Sequence, residues 1–138
     1  MELKRVVVTG LGALTPIGNN IQEYWDGLVN GKSGSAPITY FDPSKFKTQF
    51  ACELKGYNPE DYFDRKEARK LDRFAQYALI SSDEAIKDSG IDLDNVDKFR
   101  VGVIWGAGIG GLQTFQDEVQ NFVEGDGTPR FNPFFIPK

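Results

Sequence analysis

Lys4-Arg5-Val6-Val7-Val8-Thr9-Gly10-Leu11-Gly12-Ala13-Leu14-Thr15-Pro16-Ile17-Gly18 is the stretch from which the rest of the chain is read. Three consecutive β-branched residues predict a strand, Val6 to Thr9, buried on both faces as in a parallel sheet. The glycines behind it let its end turn sharply. Pro16 disfavours the α region for Thr15, so no helix starts at once, and the helical pattern resumes near Ile21. Tried as a dehydrogenase turn opening at Thr9-Gly10, the run fails, because two required glycines fall on Leu14 and Pro16.

Downstream, Ile21 to Asn30 reads as a helix with Asn20 as N-cap and Gly31 as its stop. Its Ile21, Tyr24, Trp25 and Leu28 form one apolar stripe. Residues 32–46 are loop-like, with a turn at Asp42-Pro43-Ser44, and Thr48 to Leu54 reads as a short strand. Asp64-Arg65-Lys66-Glu67 has capping-box spacing and opens the strongest helix, which keeps its period to Gly90. Ile91 to Lys98 is a polar connector. Arg100 to Trp105 reads as a second buried strand, running into Gly106-Ala107-Gly108-Ile109-Gly110-Gly111. A helix over Leu112 to Val123 follows, then an extended, Pro- and Phe-rich tail over 128–138. Strands flanked by helices make an α/β plan, yet two strands are too few for a parallel sheet. The aromatic ending at Asn132-Pro133-Phe134-Phe135-Ile136-Pro137-Lys138 adds to the expectation that residues 1–138 are one incomplete N-terminal half-domain of a larger protein.

Composition narrows the function. With 138 residues, 40% of them hydrophobic and 26% charged, the chain has the balance of a globular domain. A net charge of −4 speaks against nucleic acid as partner. No apolar run reaches the roughly 18 residues of a membrane span, and no signal-peptide cleavage site follows the apolar start. The single Cys suits a reducing cytoplasm.

Each chemical signal has two readings. Gly106, Gly108 and Gly111 fit G-x-G-x-x-G, which cradles pyrophosphate when a strand precedes and a helix follows. The motif also needs a second strand ending in an acid, and Glu124 and Asp126 follow a helix instead. Close packing of backbone against another segment or subunit is the simpler use of these glycines. Arg65, Lys66, Arg69, Lys70 and Arg73 crowd five cations onto one predicted helix, with 65, 69 and 73 on a single face. Positive charge at a helix N-terminus opposes the macrodipole. It serves an acidic partner or a phosphate group, or else it is a solvated face eased by Glu67 and Asp72. Cys52 has no histidine to activate it and reads as a small packed residue. One Cys and no His leave no zinc-type constellation.

Together, Val6-Val7-Val8-Thr9-Gly10-Leu11-Gly12, Pro16-Ile17-Gly18, Trp25, Phe41-Asp42, Arg65-Lys66-Glu67, Arg69-Lys70-Leu71-Asp72, the glycine run 106–111 and Pro133-Phe134-Phe135-Ile136-Pro137 resemble the β-ketoacyl-acyl-carrier-protein synthases. The type II members of the dissociated bacterial system are the best match. The resemblance implies an α/β, thiolase-like fold, layered α-β-α-β-α in the complete protein and assembled as a homodimer. It implies fatty-acid chain elongation by decarboxylative Claisen condensation of an acyl thioester with malonyl-acyl carrier protein, without a cofactor or metal. The family's nucleophilic Cys and two His have no counterpart among these residues, so no catalytic residue is assigned and Cys52 is not that nucleophile. The resemblance does assign Lys66, Arg69, Lys70 and Arg130 to docking of an acidic acyl carrier protein. Ile109 falls at the far end of the acyl pocket, and Phe134 and Phe135 line that region. A stand-alone module, binding a nucleotide or docking a carrier protein without catalysis, is the alternative.

Overall fold

The computed structural model describes residues 3–138. In chain order its elements are helix α1 (Ile21–Val29), strands β1 (Ala36–Pro37) and β2 (Phe50–Ala51), a 3-10 turn at Pro59–Asp61, helices α2 (Arg65–Ala68) and α3 (Arg73–Ser89), a 3-10 turn at Lys98–Arg100, and helix α4 (Leu112–Glu124). The contacts divide into two units. One comprises Met1–Tyr57 with Ile80–Val96, the other Asn58–Leu79 with Asp97–Lys138.

In the first unit, the opening stretch lies along the second half of α3. The Leu11 N–H donates to Asp88 Oδ2 and the Ala13 N–H to Glu84 Oε2, both at 2.8 Å. Two residues of extended chain advance about 6.6 Å and four residues of helix about 6 Å, so the two spacings match. Carboxylates on a helix thus receive N–H groups that a neighbouring strand would take in a sheet. The other oxygen of Glu84 accepts the Ile21 N–H at 2.7 Å, at the start of α1. An anion there satisfies an orphan donor and complements the helix dipole. Asn20 caps the same end, accepting from the Glu23 N–H at 2.8 Å.

Close approach explains Gly10 and Gly12 better than turning does. Neither has a positive φ. A Cβ on Gly10 would come within 2.6 Å of the Ser89 nitrogen, and one on Gly12 within 2.8 Å of the Ala85 nitrogen. Ser81, Ala85 and Ser89, at i, i+4 and i+8, give α3 a smooth strip for this contact.

The expected strand around residue 50 is present but short. β1 and β2 pair antiparallel, Ala36 with Ala51 and Pro37 with Phe50. The Glu53 carboxylate gathers the Thr39 and Tyr40 N–H groups and the Thr39 hydroxyl across the same ribbon. Cys52, expected to pack, is exposed beside β2. It follows the ribbon's two-residue pairing, which buries nothing on that side.

The two expected core strands are not formed. Residues 3–14 and 101–107 carry no strand pairing, and Val6 and Ile104 are 90% and 100% exposed. A strand persists when its N–H and C=O groups find partners and its faces find cover, and the described residues supply neither. The apolar stripe of α1 is likewise uncovered. Ile21, Tyr24, Trp25 and Leu28, with Leu11, line an open groove of about 510 Å³. Two separate compact domains of half this mass would together expose about 8,700 Å². The chain exposes 11281 Å², and Ile80 is the one buried apolar side chain among the described residues.

The second unit departs from expectation in two places. The long helix predicted from Asp64 to Gly90 is broken at residues 69–72 into α2 and α3. Asp64 does cap α2, its Oδ1 accepting the Lys66 and Glu67 N–H groups at 2.7 and 2.9 Å. The break is stabilised by Gln76, 4% exposed, whose amide donates to the Ala68 and Leu71 carbonyls at 2.9 and 3.2 Å. Those carbonyls have lost their helical partners, and a buried amide replaces them. The second departure is the tail, which is not extended. It turns at residues 133–137 and returns to α4, where the Asn132 N–H donates to Glu118 Oε2 at 3.0 Å. Phe135 stacks on Phe115 and on Phe131, both at 5.9 Å between centroids, and Phe131 meets Phe122 at 5.6 Å. Burying aromatic faces against one another removes them from water and explains the return.

Gly12→Ala should lower stability by about 1–3 kcal/mol, because the new methyl meets helix backbone that cannot move aside. Gly106→Ala, with open space around it, should stay within about 0.5 kcal/mol of the parent. Thermal unfolding of the two variants beside the parent checks both.

Candidate functional site

The basic residues singled out in the sequence lie in the second unit, around the α2–α3 break. Arg65 and Lys66 are on α2, Arg69 caps its C-terminus, Lys70 lies in the turn and Arg73 starts α3. They do not share one helical face, because the helix they were placed on is broken. Lys66, Arg69 and Lys70 are exposed and have no ion pair among the described residues. Arg65 reaches Glu60 at 4.0 Å. Arg69 and Lys70, at the C-terminal end of α2, escape the macrodipole penalty that a helix N-terminus would impose.

Asp72 anchors this turn. Its Oδ1 accepts the Phe74 N–H at 3.4 Å, its carbonyl accepts the Gln76 N–H at 3.0 Å, and its Oδ2 accepts the Thr114 hydroxyl in the first turn of α4. The basic turn and the start of α4 are thereby tied together. A Cβ on Gly110 would come within 2.9 Å of the Phe74 ring, so one glycine of the 106–111 run does serve close packing. A Cβ on Gly106 or Gly108 would meet nothing within 4 Å. Gly111, at φ 72°, supplies the left-handed residue before α4. No strand leads into the run, so the strand–turn–helix cradle for a pyrophosphate is not built.

Of the residues assigned to the acyl pocket, Ile109 is 76% exposed on this run and Phe134 is 38% exposed. Phe135 is half-buried in the aromatic stack. Phe134 is brought to the basic turn, with Lys70 Nζ 5.8 Å from its ring centroid. That distance is within cation–π range. Arg130, the fourth cation assigned to docking from the sequence, is paired with Asp126 at 3.4 Å. The Thr128 N–H and hydroxyl hold the Asp126 carboxyl below the usual carboxylate range, so this partner stays charged as pH falls through that range. Two other turn carboxylates are lowered in the same way, Asp42 by the Ser44 N–H and hydroxyl, and Asp92 by the Asn95 amide and the Asp94 N–H.

Sequence reasoning missed Asp72, Gln76 and Glu84 as organising residues. Gln76 falls beside the apolar stripe of the predicted helix rather than on it, so the pattern gave no signal of the break. No group of three or more His, Cys, Asp or Glu among the described residues is placed to hold a metal ion. No helix among them is long and apolar enough to cross a membrane.

Residues 3–137 match the family model described as Beta-ketoacyl synthase, N-terminal domain. The chain belongs to the β-ketoacyl synthase family. It is 44% identical over 137 residues to the 3-oxoacyl-[acyl-carrier-protein] synthase 2 of Synechocystis sp., covering 99% of this chain and 33% of that protein. To the enzymes of the same name from Staphylococcus aureus strain N315 and Vibrio cholerae it is 43% and 41% identical, covering 97% and 99% of this chain and 32% and 33% of theirs. The chain thus spans about a third of the length of these relatives.

Among solved structures, its backbone is similar to a chain of the ishigamide ketosynthase/chain length factor, with a TM-score of 0.78 at 30% identity, covering 94% of this chain and 32% of that one. It is also similar, with a TM-score of 0.68 at 26% identity, to a chain of a type II PKS acyl-carrier protein in complex with its ketosynthase bound to the hexaketide, covering 93% and 34%. The path of a thiolase-like condensing enzyme is therefore present over this third, even where its strands are unpaired.

Asp72→Ala should cost about 1–2 kcal/mol, since it releases a helix-start N–H and the Thr114 hydroxyl together. Adding Thr114→Val should cost little more, because that contact is already lost. Thermal unfolding of the two single variants and the double reads out this non-additivity.

Proposed function

We propose that this chain forms the N-terminal half-domain of a cytoplasmic 3-oxoacyl-acyl-carrier-protein synthase, which lengthens fatty acyl chains as a homodimer. The family match along 3–137 carries this reading. The exposed apolar segments around Val6 and Ile104 and the open groove beside α1 support it, since further sheet and helix would cover them.

In the complete enzyme, a cysteine thiolate takes the acyl group from its thioester and releases the carrier thiol. Decarboxylation of malonyl-acyl carrier protein then yields CO₂ and a carbanion equivalent, whose attack on the acyl-enzyme forms the new C–C bond and frees the thiolate. Two histidines assist decarboxylation and stabilise the enolate and oxyanion. These 138 residues contain no histidine, and Cys52 is a free surface thiol rather than a nucleophile at a helix N-terminus. Their contribution is to recognise the carrier and shape the acyl pocket. Lys66, Arg69 and Lys70, with Arg130 beyond them, would meet the acidic carrier protein, while Ile109, Phe134 and Phe135 would bound the acyl chain.

Reversing Lys66, Arg69 and Lys70 to Glu should abolish most turnover with carrier-bound substrates. The parent's docking should weaken as salt rises through the screening range. Acyl-CoA turnover, which needs no carrier contact, should change far less. Steady-state kinetics with both substrate forms test this, and an equal loss with both would overturn the docking role.

Ile109→Phe adds a ring where the far end of the acyl pocket is placed. The variant should keep short acyl primers and lose long ones, with little change in thermal stability. Relative kcat/KM across a primer series reads this out, and a uniform loss would make Ile109 ordinary packing.

A further inference from the structure

Lys70 and Phe134 were assigned to different tasks, one to the carrier protein and one to the acyl chain, yet the structure joins them. Lys70 Nζ lies 5.8 Å from the Phe134 ring centroid. Lys70 has no ion pair among the described residues, so the ring face is a contact this exposed ammonium can use. Phe134 is itself held from both sides. Its N–H donates to Asn132 Oδ1 at 2.9 Å, and its carbonyl accepts the Lys138 N–H at 3.0 Å. The turn that carries the ring is thus closed by its own hydrogen bonds. On the other side, Asp72 pins the turn that carries the ammonium. Two anchored turns leave the flexible lysine stem as the part free to move.

We infer that Lys70 is a shared cation: it rests over the Phe134 ring when the surface is free and leaves it for an anionic group of a docked acyl carrier protein, so that docking uncovers Phe134. This rests on the docking reading given above. An exposed cation–π contact and an exposed ion pair are of similar, small strength, so either can displace the other. The charge complement favours an acidic carrier, because Lys66 on α2 and Arg69 at its C-terminus are exposed without an ion pair among the described residues. Phe134 then acts on carrier affinity through Lys70, as a positioning residue.

Affinity for a purified, cognate acyl carrier protein, measured by titration calorimetry on the full-length protein, tests this. Phe134→Leu should tighten binding by about two- to fivefold, because it removes the resting place of the ammonium. Lys70→Met should weaken binding, and in that background Phe134→Leu should have no further effect. Weaker binding by Lys70→Met with no gain from Phe134→Leu would overturn the shared cation and leave the docking reading intact. No effect of Lys70→Met would overturn both for this residue. A readout on the parent protein avoids any folding defect of the variants. The Lys70 ε-methylene protons should show an upfield ring-current shift in the free protein that is lost as the carrier protein is added. A shift unchanged at saturation would overturn the inference.

Discussion

Glu84 holds the first unit together by doing what a strand would otherwise do. One oxygen takes the Ala13 N–H and the other the Ile21 N–H, so a single carboxylate fixes the opening stretch and the start of α1 onto α3. Asp88 repeats the contact one helical turn further on, with Leu11. Hydrogen bonds to ionised acceptors are stronger than neutral ones. The arrangement works only because Gly10 and Gly12 let backbone lie against backbone. Side chains there would lift the stretch off the helix and pull its N–H groups out of reach.

The second unit depends on a different device. A helix is interrupted at residues 69–72, and the interruption is made good by Gln76 and Asp72 rather than by water. Cations that a continuous helix would distribute along its side are set around the break, with Arg69 and Lys70 in it, and Asp72 pins the break to the first turn of α4. The returning tail then brings Phe134 to the same place. Lys70 and Phe134 are thereby neighbours in space, although more than sixty residues separate them in the sequence.

Several parts were legible in the residues. Asn20 and the glycines at 31 and 90 mark helix ends through local chemistry, and the structure uses them as read; Asp64 caps a helix too, but the short α2 rather than one running to Gly90. The α4 pattern was equally plain, because Leu112, Phe115, Val119 and Phe122 keep a helical period. The break before α3 was not legible, since Leu71, Phe74 and Ala75 continue the same period across it. A buried glutamine that repairs two distant carbonyls leaves no trace in periodicity. The role of Cys52 was misjudged because the two-residue β2 buries far less than the strand from Thr48 to Leu54 that its context suggested.

Local sequence by itself determined the helix ends at Asn20, Gly31, Asp64 and Gly90, the Asp42-Pro43-Ser44 turn, the positive charge between 65 and 73, and membership of the β-ketoacyl synthase family. All of these reside in a few neighbouring residues or in their order along the chain. Tertiary structure alone decided whether Val6–Thr9 and Arg100–Trp105 become strands, because a strand is completed by partners that its own residues cannot provide. It also decided that Gly10 and Gly12 are contact glycines, that Asp72 ties the basic turn to α4, and that Lys70 meets Phe134. Each of those depends on which distant backbone arrives within a few ångströms, and side-chain pattern carries no record of that distance.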